Sequence, residues 1–214
     1  MLGAQPAVRR PEADVYVRTR RQLHGVAEML IAGPQHRRHG TIRLTVTTSG
    51  FCGAVLPLNV EGIDLVWPQG RAKLAAPLAA LAAAADVDIG APVGVYQRSN
   101  PLPMDTVLDL DPQATARVHH SLRIGAQALK SFAGDQQPVL WPEHFDVAVT
   151  IDDTNYGVST GDSYHRRSYA YVGAPTAPSG PFWNAPFGAL RPLEPGDAAD
   201  TIIDFFHQGK KELI

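Results

Sequence analysis

The chain has 214 residues, a formal net charge of −2, 44% apolar residues and 19% charged ones. That length buries a sizeable core without cross-links, and the charge balance lacks the basic face that nucleic-acid binding calls for. The single cysteine, Cys52, excludes an intramolecular disulfide and a zinc site built from cysteines of this chain.

Residues 1–10 read as a flexible tail ahead of one α+β domain, 11–214. From Pro11 a helix is expected, with Tyr16, Leu23, Val26 and Leu30 on one face and Gly33-Pro34 ending it. Thr41 to Thr48 alternates, with Ile42, Leu44 and Val46 pointing one way, so a half-buried strand is expected. Further strands are predicted at Ala54 to Leu58 and Ile63 to Trp67. A helix then carries Leu74, Leu78 and Leu81, with Pro77 in its first turn.

Residues 86–110 are broken by Pro and Gly and form a long connection. Asp111-Pro112 is an N-cap followed by proline at the first helical position, and the helix behind it runs to Phe132 before Gly134. Phe145, Val147, Val149 and Ile151 are the inward face of a clean strand. Short strands follow near Tyr156 and at Tyr169 to Val172, and Asp197 or Asp200 opens a last helix through Phe206. The order suggests two similar halves, 11–100 and 101–214, each helix, three strands, helix. Consecutive short strands favour antiparallel pairing with packed helices.

The chemistry concentrates between Leu140 and Ala189, which hold more than half of the aromatic residues. Buried polar aromatics need partners, so this segment is the best site candidate. Trp141, His144, Asp146, Asn155, Tyr156, Tyr171, Trp183 and Asn184 are expected to line a pocket for a small ligand or a partner's side chain. His144 and Asp146, two apart on a strand, would share a face. They suit an acid–base pair of a hydrolase or isomerase, with Ser159 or water attacking, or ligands to a metal shared with His24 or His165. A structural hydrogen-bonded pair is the plainer reading.

Gly157-Val158-Ser159-Thr160-Gly161 matches the nucleophile-elbow spacing, but the residues that follow do not read as the required helix. The acidic run from Asp152 to His165 has the wrong spacing for an EF-hand; another kind of cation site stays open, and a solvated turn with Asx hydrogen bonds is the plainer reading. No metal is assigned, and the cofactor stays open. An aromatic interface between copies is the third alternative.

LHGVAEMLIAG, TIRLTVTTSGF, LWPEHFDVAV, NYGVSTGD, YAYVG and FWNAPFGA together resemble an uncharacterised family of actinobacterial proteins. Members tend to have proline where Thr160 and Arg166 stand here, which changes the rigidity of that loop. The resemblance implies a single cytoplasmic unit and adds weight to residues 140–189. It carries no activity, cofactor or catalytic residue. Neither a membrane span nor a signal peptide is expected, because no apolar run is long enough.

Overall fold

Ten short alternating segments pair into one antiparallel sheet in the computed structural model, which describes residues 12–98, 101–176 and 178–213. The expected tail, 1–10, lies outside the described residues. The fold is α+β. In chain order the strands are β1 (Leu44–Val46), β2 (Gly50–Gly53), β3 (Asn59–Glu61), β4 (Asp64–Trp67) and β5 (Gly70–Lys73), then β6 (Val139–Trp141), β7 (Asp146–Ile151), β8 (Thr154–Ser159), β9 (Tyr169–Gly173) and β10 (Gly188–Pro192). Their order across the sheet is β10-β9-β8-β7-β6-β1-β2-β3-β4-β5. Each half is therefore a meander of neighbours in sequence, and the halves join where Leu44 pairs with Leu140. Five strands per half replace the expected three. The extra ones, among them β5, β6 and β10, are too short to show a period on their own.

The helices are α1 (Glu12–Val26), a π-helical segment (Ala27–Ala32), α2 (Gly33–His39), α3 (Leu78–Ala84), α4 (Pro112–Phe132) and α5 (Ala199–Glu212). The π segment, α4 and α5 pack on one face of the sheet, and α1 packs on α4 and the π segment. Asp111 caps α4, its Oδ1 accepting the Ala114 amide at 2.8 Å, as the Asp-Pro signal predicts. At Gly125, α4 touches the sheet so closely that a Cβ there would lie 2.6 Å from Val158. The core between the layers holds Phe51, Leu122, Leu140, Val147, Val158 and Phe206.

Gly33-Pro34 does not end the first helix, which continues to His39. Proline lacks an amide hydrogen, and its ring crowds the carbonyl four residues back. Here the π segment widens the turn just before it, with the Gly33 amide bonded to the Glu28 carbonyl. Ala54 to Leu58, expected as a strand, is instead a bend between β2 and β3. The Gln35 Oε1 satisfies it by accepting the amides of Val55 (3.0 Å) and Leu56 (3.1 Å).

β7 and β8 join through a two-residue turn, Asp152-Asp153, both at positive φ (49° and 59°). Aspartate tolerates that region better than most side chains. The register then places Asp146 beside Ser159, Ala148 beside Gly157 and Thr150 beside Asn155. These six share the face away from α4. Val147, Val149, Tyr156 and Val158 point to the helices, all buried.

Candidate functional site

The open face of β7, β8 and β9 is polar yet partly buried, because α1 runs past the strand ends and walls it off. The Tyr16 hydroxyl donates to the Thr160 carbonyl at 2.8 Å, just beyond β8, and shares a hydrogen bond with Ser168 Oγ at 2.7 Å, just before β9. Eight residues along the helix, His24 Nε2 meets the Pro142 carbonyl in the β6–β7 turn at 2.6 Å. The remaining side of α1 and the sheet face enclose a cleft of about 990 Å³, which suits a small molecule.

Asp146 forms part of its floor. It is only 5% exposed. The Tyr171 hydroxyl donates to its Oδ2. Oδ1 is buried and has no hydrogen-bond partner among the described residues. Burial drives the carboxyl pKa up to about 6, against smaller opposing effects of the Tyr171 hydrogen bond and the His144 charge. The Tyr171 phenol is held well above its ordinary value, first by burial and then by the Asp146 charge.

The Tyr171–Asp146 contact depends on Gly157. Tyr171 lies on β9, Asp146 on β7, and Gly157 of β8 stands between them opposite Tyr171. A Cβ on Gly157 would meet the Tyr171 hydroxyl and ring at 2.5 Å. The first glycine of the Gly-x-Ser-x-Gly run thus clears a path for a tyrosine rather than shaping a nucleophile elbow. Ser159 ends β8, Thr160 to Arg167 follow without a helix, and its Oγ accepts the Gly161 amide at 3.0 Å.

A second Tyr–Asp pair lies next to the first. Tyr169 donates to Asp162 Oδ2 at 2.6 Å, and the two tyrosine rings are 6.2 Å apart. Asp162 Oδ1 also accepts the amides of Tyr164 and His165, each at 2.8 Å, the Asx turn expected of this loop. Burial raises the Tyr169 phenol as well, helped by Asp162. Asp152 and Asp153 sit at the opposite end of the β7–β8 hairpin from Asp162, so the acidic residues of 152–165 do not converge. No cluster of three or more metal-ligating acids, histidines or cysteines occurs among the described residues.

Cations line the α1 wall. Arg20, Arg21 and the loop residue Arg166 border the cleft, and Arg166 pairs with Asp14 at 2.6 Å. Arg20 Nε is buried without a hydrogen-bond partner among the described residues. Burial lowers its pKa, partly offset by Tyr16 and Asp162. His24 is buried too, stacked on Phe145 at 5.4 Å, and burial lowers its pKa to about 4.

Of the eight expected pocket residues, His144, Asp146, Asn155 and Tyr171 border this cleft. The others lie elsewhere. Tyr156 points to the helix face, against Phe132 and Phe206, because its neighbours Asn155 and Gly157 take the open face. Trp141 shares the open face beside Asp146 but lies under the Arg43 guanidinium, 5.8 Å from its ring centre. Trp183 stacks edge-on with Phe182, which in turn meets Phe205 of α5. Asn184 has its side chain bonded to both backbone groups of Leu190.

The expected His144–Asp146 pairing is also replaced. His144 precedes β7 in the turn, its side chain is 69% exposed, and its Nε2 faces Glu143 Oε1 at 3.0 Å. The positive φ of Phe145 (54°) breaks the alternation that would have aligned it with Asp146. Sequence reasoning missed Arg20, Arg21 and Arg166, and it placed Asp162 only in the acidic run 152–165. Arg20 left one signal: it stands four residues after Tyr16 and three before Leu23, so it interrupts the apolar stripe of α1.

No helix among the described residues is long and apolar enough to cross a membrane. Comparison with family profiles, with curated proteins and with solved structures finds no match.

Proposed function

We propose that this protein binds a small polar ligand in the cleft between α1 and the open face of β7–β9, with Asp146 as its principal recognition group. One observation carries the reading: Asp146 borders the cleft, and its buried carboxylate oxygen Oδ1 has no hydrogen-bond partner among the described residues. Buried polar groups are nearly always satisfied, and leaving an acceptor unmade costs about 1–3 kcal/mol, more when it is charged. A ligand that donates an N–H or O–H to Oδ1 removes that cost. Tyr171 fixes the carboxylate's orientation through the other oxygen, so the free oxygen is preorganised.

A second reading is proton transfer on the bound molecule. It is favoured by the Asp146 pKa of about 6, which suits a general acid or base near neutrality. The acid–base unit would then be Asp146 with Tyr171, in place of His144 with Asp146.

The test is saturation-transfer NMR of the wild type and of Asp146→Asn against a library of amine-, amide- and hydroxyl-bearing metabolites. Hits on the wild type that vanish with the variant are expected. Either no hits, or hits equally strong on both proteins, would overturn the reading.

A further inference from the structure

Two residues of opposite charge border the cleft, and each has one unmet hydrogen bond. Asp146 Oδ1 is an acceptor and Arg20 Nε a donor, both buried and both without a partner among the described residues. Resting on the binding reading above, we infer that the ligand is a small zwitterion, its ammonium or guanidinium group donating to Asp146 and its carboxylate or phosphate accepting from Arg20.

A ligand with a single charge leaves one of the two groups unmet. A simple cation would satisfy Asp146 but leave Arg20 Nε without a partner, in a lining that carries Arg20, Arg21 and Arg166 beside Asp146, Asp153 and Asp162. A simple anion would satisfy Arg20 but sit above a desolvated carboxylate. Like charges in a partly buried cleft repel strongly because water screens them poorly. A molecule with both charges meets each group with its complement and keeps the cleft's charge balance unchanged.

The protein's own charges do not already meet this need. Asp162 attracts Arg20 but spends its oxygens on Tyr169 and on the amides of Tyr164 and His165. Arg166 is engaged by Asp14. Tyr171 occupies only one of the Asp146 oxygens. The volume, about 990 Å³, leaves room for a chain between the two charged ends.

Calorimetry at low salt and pH 7.5 with matched probes tests the inference. The probes are 4-aminobutyrate, 6-aminohexanoate and 8-aminooctanoate, each beside the alkylamine and the alkanoate of the same length. The expected result is that at least one amino acid binds tenfold or more tightly than both of its single-charge analogues. Asp146→Asn should reduce it to the level of the alkanoate and Arg20→Gln to that of the alkylamine, while Arg20→Lys restores part of the loss. Amines that bind as tightly as the amino acids would overturn the zwitterion inference while leaving a ligand site at Asp146 intact. Binding of none of the probes would overturn it as well, and the metabolite screen then decides separately on the site itself.

Discussion

The two halves of the sheet build the same meander and treat their charges in opposite ways. On the open face of the N-terminal half, Asp64 is clamped by Arg71 at 2.7 Å and Lys73 at 2.9 Å. Lys73 and Arg71 hold its carboxyl below the ordinary value. On the open face of the C-terminal half, Asp146 is buried, bonded at one oxygen by a neutral phenol, and raised to about 6. The difference lies in pairing: the Asp64 side chain is also largely covered, 14% exposed, but a cation meets each of its two oxygens. An under-satisfied carboxylate in a cleft is the observation behind the proposed ligand site.

Buried histidines give both halves their strongest pH dependence. Each half holds one that burial forces down to about 4: His24 stacks on Phe145, and His119 packs edge-on to Phe51. Between pH 6.5 and 4 the unfolded chain takes up protons that these folded histidines refuse. Stability therefore falls as pH drops through that window, by up to about 3 kcal/mol for each histidine. Urea denaturation from pH 7 to 4 should show this loss, and the double variant His24→Gln/His119→Gln should flatten it. An unchanged slope in the double variant would mean that the histidines titrate normally.

Gly157→Ala breaks the C-terminal arrangement selectively. The new methyl collides with Tyr171 and costs roughly 1–3 kcal/mol. It should also release Tyr171 from Asp146, visible as a phenol that ionises at lower pH in an ultraviolet titration. Asp64→Asn is the matching change in the N-terminal half. Its partners are exposed, so the expected loss is less than about 1 kcal/mol and shrinks further in high salt. A large loss there would erase the contrast between the halves.

Much of the fold was legible where local signals were strong. Asp111-Pro112 and Gly134 bracketed α4, and the apolar alternation of β7 pointed to its buried face. The Gly33-Pro34 stop failed because a π segment absorbs the proline, an adjustment with no short-range marker. The site was half legible. Clustering pointed to the right stretch, but a positive φ at Phe145 broke the strand alternation between His144 and Asp146 and left His144 beside Glu143, and strand parity sent Tyr156 into the core. The arginines of α1 come to the same cleft as Asp146 only through tertiary packing across more than a hundred residues. No spacing rule within residues 140–189 contains them.

The most direct test of the account is the stability of Asp146→Asn against wild type at pH 8 and pH 4. The Asp146 carboxyl is raised from an ordinary value of 3.8 to about 6 on folding. The folded protein thus holds a proton that the unfolded chain releases, and the stability tied to it is present at low pH and lost as pH rises through 6. The variant should be more stable than wild type at pH 8, by up to about 3 kcal/mol, and its advantage should fade towards pH 4. A variant less stable than wild type at pH 8 would contradict it, making Asp146 a structural anchor for Tyr171 and leaving the cleft without its recognition group.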